Sequence, residues 1–100
     1  MKDYDNTEIL LVEDNADEAA LTLLAIEKSN LTKAVHWVKD GVEAIDFLYG
    51  LGEYMGRDIT KQPKIILLDL NMPKLGGLEV LAKVKSDEVT KQIVVIVLSS

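Results

Sequence analysis

The sequence lacks cysteine altogether and contains only five aromatic residues among 100 positions. The absence of cysteine excludes a disulfide framework, a thiolate metal site and a cysteine nucleophile, and is compatible with a reducing compartment. Hydrophobic residues still make up 48% of the chain, so the core is expected to be aliphatic rather than aromatic. We expect Trp37, Tyr49 and Tyr54 to be packing residues rather than a partner-binding patch, and His36 to have no ligand role.

Basic residues are also scarce, because 11 Lys and Arg stand against 17 Asp and Glu to give a formal net charge of −6. Nucleic acids are bound through clustered Lys and Arg, so no nucleic-acid partner is expected. The amino terminus lacks the apolar core of a signal peptide, and no apolar run approaches the roughly 18 residues of a membrane span. We therefore expect one cytoplasmic domain, residues 1–100, with no membrane partner.

Two unbroken apolar runs end in acidic residues. The first, 9–12, precedes Glu13 and Asp14, and the second, 65–68, precedes Asp69. Such runs are typical of strands that are buried on both faces in parallel sheets. An acid at the carboxyl end of such a strand lies where open α/β sheets bind ligands, although a turn-capping role would explain Asp69 considered alone.

Strand and helix patterns alternate along the chain, which predicts an α/β fold with a parallel sheet and right-handed crossovers. Helices are predicted after the N-cap residues Asn15 and Asp40, and a third is predicted to open at Gly76–Gly77. The first helix is apolar on more than one side and is expected to pack on two sides. Strands are predicted at 8–13, 34–38, 65–68 and 93–98, with a long surface connection at 53–63.

The ends of the predicted strands carry the chemistry. Parallel strands present their carboxyl ends at one edge of the sheet, so Glu13, Asp14, Asp69 and Ser99 are expected to converge there. Three neighbouring carboxylates repel one another and raise one another's pKa values unless a cation lies between them. Mg²⁺ suits this position because it prefers hard oxygen ligands and pairs with phosphates. A carboxylate beside Mg²⁺ can act as a nucleophile toward phosphorus.

These motifs together resemble the receiver domain of two-component response regulators. The resemblance rests on Glu13–Asp14 after the first strand, on the DLNMP motif of 69–73 with Gly77 following it, and on Ser99 after the fourth strand. The connection at 52–54 further resembles single-domain receivers that partner phytochrome-type histidine kinases. The resemblance implies a flavodoxin-like, doubly wound parallel sheet, of which this chain would hold the strands in the order 2-1-3-4.

The resemblance also implies a role for each site residue. Asp69 would be the phosphoacceptor, receiving a phosphoryl group from a sensor histidine kinase, and would share Mg²⁺ with Asp14, a direct ligand. Glu13 would act through a metal-bound water, and the backbone carbonyl of Asn71 would complete the protein ligands. Ser99 would hydrogen-bond the phosphoryl group. The chain would not be an enzyme beyond self-phosphorylation and autodephosphorylation.

Receivers normally continue through a fourth helix, a fifth strand and a fifth helix, so the resemblance implies a C-terminally truncated receiver. The fourth strand would then be an exposed apolar edge, and we expect homo-oligomers formed through that edge or through the first helix. An alternative function is an engineered or truncated fragment that self-associates without signalling. A phosphohydrolase with an Asp nucleophile is disfavoured, because Asn71 stands where such enzymes place a general acid.

Overall fold

Strands and helices alternate as the sequence pattern predicts. The computed structural model describes residues 4–31, 34–72 and 75–98. The elements are, in chain order, β1 (Ile9–Val12), α1 (Ala16–Ser29), β2 (Val35–Val38), α2 (Gly41–Tyr49), β3 (Ile65–Asp69), α3 (Gly77–Ser86) and β4 (Val94–Leu98), with short 3₁₀ turns at Tyr4–Asn6 and Gly52–Tyr54. The sheet order is β2-β1-β3-β4, which confirms the predicted order.

All three strand pairs are parallel, and the paired strands end level with one another. Val12 at the end of β1 is paired with Val38 of β2 and with Leu68 of β3. On the other side of β3, Asp69 is paired with Leu98 of β4. The residues that follow β1 and β3 therefore leave the sheet side by side at the same edge.

The core lies between one face of the sheet and the helices α2 and α3. Because strand side chains alternate between faces, the buried residues on this face are two apart along each strand. The buried cluster is aliphatic apart from two aromatic side chains, and it consists of Leu10, Val12, Val38, Ala44, Phe47, Leu48, Tyr54, Ile66, Leu68, Val80, Val84 and Ile93. Helix α1 covers the opposite face, to which the fully buried Leu11 points.

Side-chain caps fix where the first two helices begin. The Asn15 side chain accepts a hydrogen bond from the backbone N–H of Glu18 at 3.0 Å, and Asp40 accepts one from the N–H of Glu43 at 2.8 Å. Both predicted N-caps are thus confirmed. Helix α2 ends at Gly50, whose φ of +66° is a left-handed conformation that glycine adopts without strain.

The segment 53–63 is mostly exposed, as predicted for a surface connection, but two of its side chains are buried and anchor it to the core. Tyr54 is only 4% exposed, and the side chain of Arg57 is 1% exposed. The Nε of Arg57 donates to the carbonyl of Phe47 at 2.6 Å, and its guanidinium lies 4.3 Å from the centroid of the Phe47 ring. The polar composition of the segment hides these anchors, because an arginine can bury its stem and guanidinium wherever carbonyl acceptors satisfy its donors.

Several apolar side chains remain exposed on α1 and on the edge strand β4. The expectation that α1 packs on two sides is wrong for the described chain, since Leu21 is 62% and Leu24 is 46% exposed. In the described residues β4 pairs only with β3, and three of its side chains are exposed: Val94 at 55%, Ile96 at 45% and Val97 at 42%. None of the helices in the described ranges is both long and apolar enough to cross a membrane.

Candidate metal centre

Three carboxylates meet at the edge where β1 and β3 end. Glu13 and Asp14 follow β1 directly, and Asp69 is the last residue of β3. Each offers a carboxylate oxygen, and these oxygens lie within 4.8 Å of one another. Glu13 is 6% and Asp69 5% exposed, whereas Asp14 is exposed. The parallel register brings the three residues together because β1 and β3 are adjacent strands that end level with each other.

Glu13 shows the electrostatic strain of this cluster. The pKa of Glu13 is raised to about 7, mainly because the carboxyl is buried and in smaller part because the Asp69 carboxyl lies nearby, while the hydrogen bond from the backbone N–H of Asn15 opposes the rise. The expected mutual repulsion of the carboxylates therefore contributes, but loss of hydration is the larger cause. A buried carboxylate whose charged form is disfavoured is stabilised strongly when a cation replaces the proton.

Backbone donors orient the two buried carboxylates. The N–H of Asn15 donates to Oε2 of Glu13 at 3.1 Å, and the N–H of Asn71 donates to Oδ1 of Asp69 at 2.9 Å. Both donors lie two residues after the acid that they bond, so each strand end closes a tight turn around its own carboxylate. The acids are thereby held in place by backbone atoms.

The start of α3 presses against the backbone of the same site. A Cβ added at Gly77 would lie 2.5 Å from the Cα of Leu70 and 2.6 Å from the carbonyl oxygen of Asp69, well inside the ordinary contact range of 3.4–4 Å. Only glycine permits this approach, because it has no side chain. Gly77 therefore lets α3 pack on the end of β3 and fixes the position of Asp69.

An open cavity of about 600 Å³ lies over the carboxylates. It adds residues that sequence reasoning missed, namely Glu18 and Thr22 from α1 and Leu98 from β4. The sequence contained one indication of the two α1 residues: Glu18 and Thr22 are four positions apart, so both lie on one face of the helix. The full lining is Glu13, Asp14, Asn15, Glu18, Thr22, Asp69, Asn71 and Leu98.

The structure thus brings together four of the five residues singled out from the sequence. Glu13, Asp14 and Asp69 form the carboxylate cluster, and Asn71 lines the same cavity. Ser99 lies outside the described residues. The donor set fits a hard divalent cation, because it consists of carboxylate oxygens, one of them on a buried glutamate whose charged form is disfavoured without a counter-ion.

Comparison with known proteins identifies the family. The response regulator receiver domain matches residues 9–100. Response regulator Rcp1 of Synechocystis sp. is 39% identical over 92 residues, which cover 92% of this chain and 60% of Rcp1. The structure of the bacteriophytochrome response regulator AtBRR is 46% identical with a TM-score of 0.86, covering 92% of this chain and 65% of AtBRR.

Two further solved structures bear on the chemistry of the site. A Mn²⁺-bound form of response regulator Rcp1 is 40% identical with a TM-score of 0.81, covering 91% of this chain and 63% of that one. The phosphorylated cyanobacterial phytochrome response regulator RcpA is 45% identical with a TM-score of 0.73, covering 93% and 64%. This chain spans less than two thirds of each of these relatives.

These findings confirm the flavodoxin-like fold and the resemblance to receivers associated with phytochromes. Receiver domains bind Mg²⁺ or Mn²⁺ at an acidic pocket, and sensor histidine kinases phosphorylate them. In this chain the three carboxylates form such an acidic pocket at the carboxyl edge of the parallel sheet. With a family match over residues 9–100, the chain belongs to the response regulator receiver domains of two-component signalling systems.

Proposed function

We propose that this chain is a phosphoacceptor module in which Asp69 receives a phosphoryl group from a sensor histidine kinase in the presence of Mg²⁺. The observation that carries the proposal is the position of Asp69 at the end of β3, 5% exposed, with oxygens of Glu13 and Asp14 within 4.8 Å. Carboxylates this close repel one another unless a cation lies between them, and a bound cation also attracts the phosphoryl group. The cavity above the cluster leaves room for both.

Asp69 is the nucleophile in this proposal. One of its carboxylate oxygens forms a bond to phosphorus, the N–P bond of the phosphohistidine breaks, and the electron pair of that bond stays on the imidazole nitrogen. The N–H of Asn71 holds the carboxylate in place for the attack, since it donates to Oδ1 at 2.9 Å. When bound, Mg²⁺ offsets the charge of the phosphoryl oxygens.

The remaining site residues divide the work of holding the cation. Asp14 would be a direct ligand and is the most exposed of the three acids. Glu13, which is buried, would hold the cation through a water molecule. The backbone carbonyl of Asn71 would complete the protein ligands with Asp69, and Ser99 would hydrogen-bond the transferred phosphoryl group.

Incubation with acetyl phosphate and Mg²⁺, followed by intact-mass measurement, tests the proposal. We expect a mass increase of one phosphoryl group that disappears with EDTA and in Asp69→Asn. Asp17→Asn is the matched control, because Asp17 is an exposed acid in the first turn of α1 that does not line the cavity. Its labelling should equal that of the unmodified chain.

The competing functions give different outcomes in the same experiment. If Mg²⁺ binds but no condition labels the chain, the alternative of a self-associating fragment without signalling gains support. Steady release of phosphate from a simple phosphomonoester would instead favour a phosphohydrolase. That outcome is disfavoured because the amide of Asn71 cannot donate a proton to a leaving group as a carboxylic acid does.

We also propose that two copies of this 100-residue chain associate through β4. All five residues of this strand, Val94–Leu98, are uncharged aliphatic residues. Among the described residues no strand pairs with its outer edge, so backbone donors and acceptors are available there. A second β4 fits this edge in an antiparallel arrangement about a two-fold axis and meets no like charge there. Leu21 and Leu24 of α1 are also exposed, so the face of α1 is a second apolar surface for association.

Sedimentation velocity at micromolar concentration tests this association. We expect a concentration-dependent dimer that Ile96→Lys abolishes, since the substitution places a charge at the centre of the edge. Leu78→Lys is the control, because Leu78 is 67% exposed but belongs to α3 rather than to β4. A compact monomer at all concentrations would refute the association and leave the phosphoacceptor proposal intact.

A further inference from the structure

A side chain of β2 contacts the backbone of the candidate metal centre. Nε1 of Trp37, the only tryptophan of the chain, donates a hydrogen bond of 2.7 Å to the backbone carbonyl of Glu13. Glu13 is the first residue after β1, so this bond falls just beyond the last register pair, Val12 with Val38. Neither the composition nor the motifs of the sequence assign this contact a function.

The indole supplies a donor at the point where the backbone ladder between β1 and β2 ends. The N–H of Glu13 still donates to the carbonyl of Val38 at 3.1 Å. The chain after Val38 then turns toward α2, where the N–H of Lys39 donates to Oε1 of Glu43 at 3.0 Å instead of continuing the ladder. The Trp37 side chain thus extends the pairing of the two strands by one residue.

Anchoring the carbonyl of Glu13 also orients Asp14. The peptide bond between them is planar, so the Glu13 oxygen and the Asp14 nitrogen share one plane and turn together. On the other side of this peptide, the N–H of Asn15 donates to Oε2 of Glu13 at 3.1 Å. The Asn15 side chain in turn caps α1 through the N–H of Glu18. The acidic pair is therefore held between β2 and the start of α1.

We propose that Trp37 is a positioning residue for the metal centre, which rests on the proposed function. Its indole N–H holds the Glu13–Asp14 peptide in the orientation that brings the Asp14 carboxylate toward Asp69. Without that bond the peptide turns more freely, and the mutual repulsion of the three acids favours arrangements in which they are farther apart. The conformational entropy that must be lost on binding a cation is then larger.

Titration calorimetry with Mg²⁺ on the whole chain tests the proposal. Trp37→Phe keeps an aromatic ring but removes the donor, and we expect its Mg²⁺ dissociation constant to rise about tenfold, as for other residues that orient metal ligands. Tyr54→Phe is the matched control, because it also removes one buried donor but lies in the core cluster on the other face of the sheet. Its Mg²⁺ affinity should equal that of the unmodified chain even though its stability falls.

A spectroscopic measurement on the metal-free chain separates positioning from general stability. In ¹H–¹⁵N spectra, the Asp14 amide resonance should move in Trp37→Phe and stay in place in Tyr54→Phe. If Trp37→Phe does not fold by circular dichroism, benzothienylalanine at position 37 takes its place, since it replaces only the N–H by sulfur.

The outcomes keep the two proposals apart. Equal Mg²⁺ affinity and an unmoved Asp14 resonance in the folded position-37 variant would overturn the role of Trp37 while leaving the phosphoacceptor proposal standing. If the unmodified chain binds no Mg²⁺, the proposed function fails, and the Asp14 resonance alone still decides whether Trp37 orients the acidic pair.

Discussion

Replacing Gly77 by alanine should disturb the fold and the metal centre together. The new Cβ would lie 2.5 Å from the Cα of Leu70 and 2.6 Å from the carbonyl oxygen of Asp69, so each contact must lengthen by almost 1 Å to reach the ordinary range. The contacted atoms belong to the backbone, so overpacking should cost about 3 kcal/mol, the upper part of the usual range. Alanine regains at most about 1 kcal/mol of helix propensity.

The net loss of unfolding free energy is therefore about 2 kcal/mol, or a fall of about 10 °C in Tm for a domain of this size. Urea denaturation in EDTA measures the stability. Mg²⁺ titration measures the affinity for the cation, which should be weaker because Asp69 is displaced. Gly76→Ala is the matched control, because a Cβ there meets only Oε1 of Glu79, at 3.8 Å. It should lose less than about 1 kcal/mol, as a changed N-cap residue does, and keep its affinity. A Gly77→Ala chain as stable as the Gly76→Ala chain would refute the reasoning.

Two further substitutions probe the buried polar groups. Because folding raises the pKa of Glu13 from 4.5 to about 7, the metal-free chain should lose stability as the pH rises between these values. The decline in the free energy of unfolding should be about 2 kcal/mol after allowance for solvent screening, and Glu13→Gln should remove it. Urea titrations at pH 5 and pH 8 with EDTA measure the decline. If it is unchanged in Glu13→Gln, Glu13 is not its cause. Tyr54→Phe removes a hydroxyl that donates to Oε2 of Glu43 at 2.6 Å and lies 2.8 Å from Nε2 of His36. It should cost about 1–3 kcal/mol in the same assay. Tyr49→Phe should cost less, because its hydroxyl lies 3.4 Å from the Thr90 hydroxyl and otherwise interacts with the carboxylate of Asp87.

Local patterns were sufficient to predict the sheet and the carboxylate cluster. Apolar runs that end in acids located β1 and β3, and the structure places their ends side by side. Cap residues located the starts of α1 and α2, where Asn15 and Asp40 accept the expected bonds. These features depend on residues close in sequence, and the parallel arrangement then follows from the alternation of strands and helices.

Contacts between residues distant in sequence could not be predicted from such local patterns. The bond from Trp37 to the carbonyl of Glu13 joins residues 24 positions apart, and a tryptophan in a strand is equally compatible with simple packing. Arg57 was assigned to an exposed connection because its neighbours are polar, yet its side chain is 1% exposed and bonds the carbonyl of Phe47. Which backbone carbonyls can accept a hydrogen bond from the Arg57 side chain depends on the position of the end of α2 in the folded chain.

The sequence by itself determined which residues could carry charge to the edge of the sheet: Glu13 and Asp14 after one buried strand and Asp69 at the end of another. Only the tertiary structure decided how closely they meet, within 4.8 Å, and that burial raises the pKa of Glu13 to about 7. The physical reason is that hydrogen-bonding patterns and hydrophobic periodicity are local properties of the chain, whereas desolvation and repulsion depend on everything that surrounds a group after folding.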